Sequence, residues 1–141
     1  MYLLDTNVIS ETIKKAPNEN VLNWLAVIDA QNFSLSVLTL GEIRKGIEKL
    51  SDQSKKQKII QWLETDLIES FEGRVIDIDA AVADKWGCIL SAKAMPAIDA
   101  LIAASAIVHN HKLVTRNTKD FAGIASLELI NPWNIDNQVL N

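Results

Sequence analysis

Short apolar runs alternate along this chain with longer stretches of helical spacing. "YLLD" (2–5) is apolar up to its last residue and predicts a buried strand. "NVISETIKK" follows with helical spacing, and "NENVLNWLAVI" (18–28) sets Val21, Leu22, Leu25 and Ile28 on one helical face. "FSLSV" (33–37) alternates and predicts a second strand. "LTLGEIRKGIEKL" predicts a helix, and "KKQKIIQWLETDLIESF" predicts more helix after a polar break at Ser51–Ser54. "RVIDI" (74–78) predicts a third strand, and "DAAVADKWGCILSAKA" a helix that ends before Pro96. "IDALIAASAIVHN" predicts a short, smooth helix, "KLVT" (112–115) a fourth strand and "LELI" (127–130) a fifth.

Strands alternating with helices favour a parallel sheet covered on both faces, a three-layer α/β/α domain. The length, 141 residues, suits one domain spanning 1–141, with no linker-like tract and no internal repeat. In such sheets the functional crevice lies beyond the carboxyl ends of the strands, so the residues there carry the candidate chemistry.

Composition narrows the classes. The net charge of −4 argues against non-specific coating of nucleic acid, although basic residues cluster in "IRKGIEKL" and "SKKQK" and recur at Arg116 and Lys119. Taken alone, those clusters read as solvated helix faces. "MYLLDTN" lacks the basic and long apolar regions of a signal peptide, and no apolar stretch approaches the roughly 18–20 residues that span a bilayer. The one cysteine, Cys88, excludes an intrachain disulfide, fits a reducing cytoplasm and is expected as a buried structural thiol. Trp24, Trp62, Trp86 and Trp133 are expected in core or dimer packing more than in base stacking.

Acidic and amide residues stand at the predicted strand ends. Asp5 closes the first strand, Glu42 lies near the start of the helix after the second, Asp99 opens the alanine-rich helix, and Asn117 and Asp120 follow the fourth strand. Each has a plain structural reading. Asp5 suits a helix N-cap, Thr39 to Glu42 matches a capping box, Asp99 suits a helix dipole, and Asn117 and Asp120 are ordinary turn residues. Gathered on one edge, however, the carboxylates repel one another unless a cation sits between them. Oxygen donors at that density suit Mg2+ or Mn2+, which can serve phosphodiester hydrolysis. No nucleotide-cradling glycine loop and no G-x-S-x-G elbow is present, and "HNH" (109–111) reads as a polar helix terminus.

"YLLDTNVIS", "LTLGEIRKGIEKL", "PAIDALIAASAIVHNHKLVTRNTKDFAGI" and "LINPW", in this order over nearly the whole chain, resemble a PIN-domain ribonuclease of the VapC toxin type. The resemblance implies a PIN-like α/β/α fold. It also implies Mg2+- or Mn2+-dependent endoribonuclease activity on RNA, homodimers in the cytoplasm, and neutralisation by a cognate VapB-type antitoxin. It assigns Asp5 and Asp99 as principal metal ligands and Glu42 as the third acid. The fourth catalytic position falls on Asn117, an amide here, with Asp120 as a substitute or a supporting group. Thr6 and Thr115 would hydrogen-bond the ligands or the attacked phosphate, and Arg44, Lys45, Arg116 and Lys119 would meet RNA at the rim. A catalytically inactive PIN-like nucleic-acid-binding module and an acid-cluster phosphatase stay open beside this reading.

Overall fold

A computed structural model describes residues 1–135, so the expected domain end at 141 lies outside the described residues. Five strands form one sheet: β1 (Tyr2–Leu4), β2 (Phe33–Ser36), β3 (Val75–Ile76), β4 (Lys112–Val114) and β5 (Leu129–Ile130). Their spatial order is β3-β2-β1-β4-β5, and every pairing is parallel. In register, Tyr2 lies opposite Phe33 on one side and Lys112 on the other. The chain builds outward from β1 to β3, then returns to place β4 on the free side of β1. The strand order therefore reverses between β1 and β4, where an open α/β sheet leaves its crevice.

The helices are α1 (Thr6–Thr12), α2 (Glu19–Val27), α3 (Val37–Glu48), α4 (Gln53–Gln61), α5 (Ile68–Ser70), α6 (Ala80–Ala92) and α7 (Ala97–Val108). A π-helical stretch, Trp62–Leu67, joins α4 to α5 without a break.

The two-residue period of the strands divides the core. Leu4, Leu35 and Val114 face the layer of α1 to α4, while Leu3, Ile76 and Leu113 face α6 and α7. On the first face Trp24 is buried and meets Tyr2 edge to face at 5.2 Å. On the second, Ala100, Ala103, Ala104 and Ala106 are fully buried, so α7 can lie close against α6 and the sheet. α7 ends as a polar terminus: Asn110 takes a left-handed φ of 56°, and the His111 amide closes on Ala106 O at 2.8 Å.

Several sequence expectations need correction. Cys88 is exposed, because α6 turns Val82 and Ile89 inward and leaves the thiol on its outer face. β3 and β5 are two residues each, shorter than the runs that predict them. α3 begins at Val37 behind an N-cap at Ser36, whose hydroxyl accepts from the Leu38 amide at 3.1 Å. Glu42 is therefore beyond the first turn and forms no capping box with Thr39.

Candidate active site

Asp5 sits where β1 becomes α1. Its amide donates to Val114 O at 2.9 Å, extending the sheet by one rung, and its Oδ1 accepts from the Thr6 amide at 2.8 Å as an N-cap. Its Oδ2 accepts from the Thr115 hydroxyl at 2.8 Å. Capping and site-building thus use the same carboxylate. Asp5 is 8% exposed. Burial pushes its pKa up, the Thr115 and Thr6 hydrogen bonds pull it down, and the charge of Glu42 pushes it up again.

Asp99 projects from the first turn of α7 and is half-buried. The helix N-cap is Pro96, which offers no side-chain cap, so Asp99 serves only the dipole locally. Burial raises its pKa first, followed by the charges of Asp5 and Asp120. No basic group is among the influences on either carboxyl.

Glu42 is exposed and tied to α1: the Thr6 hydroxyl donates to its Oε1 at 2.8 Å and lies 3.2 Å from the buried Thr39 hydroxyl. The expected trio of Asp5, Asp99 and Glu42 does not form a closed ligand group; among the described residues no three His, Cys, Asp or Glu side chains do. Mg2+ keeps several waters and is commonly held by one or two carboxylates. The oxygen-only pair Asp5 and Asp99, each with lone pairs to spare and no cation beside it, fits that mode of binding.

At the end of β4, Thr115 is fully buried and ties two segments together. Besides donating to Asp5, its Oγ1 accepts from the Asn117 amide at 3.1 Å and from Asn7 Nδ2 at 3.3 Å. Asn117 is exposed and begins the 3-10 turn Thr118–Phe121 with no side-chain cap bond. Asp120, in that turn, adds its charge to that of Asp5 in raising the pKa of Asp99.

The proposed rim residues separate. Arg44 is engaged by Glu64 at 2.5 Å and Glu48 at 3.8 Å, which neutralises much of its charge. Lys45 and Lys119 are exposed. Arg116 is exposed with its guanidinium 5.2 Å from the Trp133 ring centroid, so that tryptophan carries a cation on one face.

Asn7 and Lys93 enter without having been singled out, and Thr39 enters in a role other than the expected capping box. Asn7 links Asp5, Thr115 and the Arg116 amide, the last donating to Asn7 Oδ1 at 3.3 Å. Its only sequence signal is adjacency to Asp5. Thr39 packs against Thr6, and Lys93 donates to Asp120 O at 3.1 Å and Ala122 O at 2.6 Å. Nothing in the local pattern marks Lys93, since its partners lie in a loop 27 and 29 residues away.

Beside Thr6 and Glu42 a groove of about 820 Å3 opens between α1, α3 and α4. Ile13, Ile43, Ile47, Leu50 and Ile59 give it apolar lining, Lys15, Lys55 and Lys58 supply positive charge, Lys14 is paired with Glu11 at 2.7 Å, and Glu42 and Asp52 add negative charge. Gly46 lines it too, and a Cβ there would meet nothing within 4 Å.

The PIN domain family matches residues 2–127. Toxin FitB of Neisseria gonorrhoeae is 37% identical over 138 residues, covering 94% of this chain and 99% of FitB. VapC ribonuclease Y4jK of Sinorhizobium fredii is 32% identical over 138 residues, covering 94% of this chain and 98% of Y4jK. The crystal structure of FitAcB from Neisseria gonorrhoeae matches with a TM-score of 0.90 at 36% identity, over 96% of this chain and 100% of that one. The chain belongs to the PIN-domain family, among its VapC-type toxins.

Proposed function

We propose that this protein is an endoribonuclease toxin that cuts RNA phosphodiester bonds with Mg2+ or Mn2+ and is neutralised by a cognate VapB-type antitoxin. One observation carries the reading: Asp5 is buried at the end of β1 with both oxygens held by Thr115 and Thr6, its charge bears on Asp99 at the head of α7, and among the described residues neither carboxylate forms an ion pair. Such a pair gains from a hard cation more than from any residue nearby. The names of the relatives, a toxin and a ribonuclease, point the same way.

A Mg2+ or Mn2+ ion held by Asp5 and Asp99 would supply Lewis-acid charge to the scissile phosphate and its nucleophilic water. The protein's own part is orientation. Thr115 and the Thr6 amide fix the two oxygens of Asp5, so the carboxylate needs no rearrangement when substrate arrives. The Thr6 hydroxyl orients Glu42, which would take a hydrogen bond from the attacking water. Asn117 contributes a neutral amide where a fourth carboxylate would add repulsion. Lys45, Arg116 and Lys119 would meet the RNA backbone.

The groove beside Glu42 suits an antitoxin segment with apolar residues on one face and acidic residues on the other, since its lining is apolar and lysine-rich. We place the working protein in the cytoplasm as a homodimer of a single 1–141 domain. Among the described residues no helix is long and apolar enough to cross a membrane.

The test is brief induction in cells, with and without co-expression of the cognate antitoxin, which should be encoded by a small neighbouring reading frame. Growth arrest with new RNA 5′ ends, relieved by the neighbour, is expected. Unrestrained expression with normal growth and unchanged RNA ends would overturn the toxin reading.

A further inference from the structure

The carboxylates of Asp99 and Asp120 come from segments with no covalent reason to stay together. Asp99 follows the α6–α7 corner, whereas Asp120 sits in the Thr118–Phe121 turn after β4. Hydrogen bonds tie that turn to the site: the Asp120 amide donates to Asn117 O at 3.0 Å, the Asn117 amide to Thr115 Oγ1 at 3.1 Å, and the Thr115 hydroxyl to Asp5 Oδ2 at 2.8 Å. Like charges on separate segments repel, so contacts elsewhere must hold the Asp120 turn against α7.

Phe121 anchors the turn in the core shared by α6 and α7, and Lys93 adds the polar contact. Lys93 caps the C-terminus of α6, at the corner leading to Asp99. Its ammonium donates to Ala122 O at 2.6 Å and to Asp120 O at 3.1 Å. Among the described residues Lys93 makes no ion pair. Ordering a lysine costs side-chain entropy, and here the return comes from carbonyls at the end of the turn that carries Asp120.

We propose that Lys93 is a positioning residue that clamps the Asp120 turn to the α6–α7 corner, keeping the Asp120 carboxylate within reach of a cation held at Asp99. This rests on the cation reading of the site. Asp120 then supports the site from outside, through a water or by its field, at the edge where Asn117 brings no charge. Partners of this kind commonly change metal affinity by about tenfold or more when lost.

The experiment follows the rise in melting temperature of the purified protein as Mn2+ or Mg2+ is titrated, and needs no RNA. Lys93→Met should leave the fold intact and raise the ion concentration at half-maximal effect by about tenfold. Lys93→Arg, which keeps charge and donors, should restore most of the parent's response. In an Asp120→Asn background, Lys93→Met should add no further shift. If Lys93→Met is too unstable to melt cleanly, Lys93→Gln, which keeps a donor, should fall between parent and Asp120→Asn.

A parent-like midpoint in Lys93→Met or Lys93→Gln would overturn the clamp, as would a full further shift in the Asp120→Asn background. A parent that gains nothing from either ion would instead overturn the cation reading itself, and the role of Lys93 would fall with it.

Discussion

The Thr115 hydroxyl donates to Asp5 Oδ2 at 2.8 Å across 110 residues of sequence, joining the ends of two adjacent parallel strands at the point where the sheet reverses order. This bond favours the charged carboxylate against the burial that disfavours it. Thr115→Val keeps the shape and removes the hydroxyl. It also strips a partner from the Asn117 amide and from Asn7. The expected cost is about 1.5–3 kcal/mol by urea denaturation near neutral pH, with most of it recovered in Thr115→Ser. The penalty should shrink as pH falls through the Asp5 pKa, because the bond serves the ionised form. A penalty independent of pH would mean that the bonds to Asn117 and Asn7, and not the one to Asp5, carry the cost.

Asp99 gives a pH dependence of opposite sense to a salt-bridged acid. Its pKa is raised in the folded protein, so the folded state holds the proton more tightly than the unfolded chain. The stability linked to Asp99 is therefore fully present below the ordinary value of 3.8 and is lost as pH rises through the raised one. Without divalent ions, Asp99→Asn should be more stable than the parent at neutral pH, by at most about 1 kcal/mol since water screens a half-buried group. The advantage should vanish at low pH. Thermal melts of both proteins from pH 3 to 8 in chelator read this directly. A mutant less stable than the parent at neutral pH would return Asp99 to a dipole-capping role.

Gly46 stands inside α3 with open space where a Cβ would project. Glycine at such a position costs about 1 kcal/mol relative to alanine, and no packing among the described residues requires it. Gly46→Ala should therefore stabilise the free protein by up to that amount while weakening antitoxin binding, because the added methyl enters the groove. Melting temperature and antitoxin titration should move in opposite senses. Equal or tighter antitoxin binding would place the partner elsewhere.

Much of this arrangement is legible in the sequence because it depends on local pattern. The apolar runs at Tyr2–Leu4 and Lys112–Val114 mark central strands, and the acids fall at their ends because each run stops there. Distance in sequence hides the rest. Glu42 reads as a capping residue until α3 is seen to start at Val37 and Thr6 to hold its carboxylate. Cys88 reads as buried because its neighbours are apolar, yet only the packing of α6 decides which face turns inward.

Arg44 and Lys45 look equivalent in "EIRKG", but Glu64, 20 residues away, takes one of them. Lys45→Ala should therefore reduce the salt dependence of RNA binding by about one phosphate contact, and Arg44→Ala by less. Equal effects from the two substitutions would show that the Glu64 pair opens when RNA binds.

The most direct test of the central claim is cleavage of a mixed pool of synthetic RNA by the purified protein over a titration of Mn2+ and Mg2+, with Asp5→Asn and Asp99→Asn in parallel. The parent should cut only when a divalent ion is present, and each variant should lose cutting while remaining folded. Cleavage that survives chelation, or that persists in both folded variants, would contradict a site built on these two carboxylates.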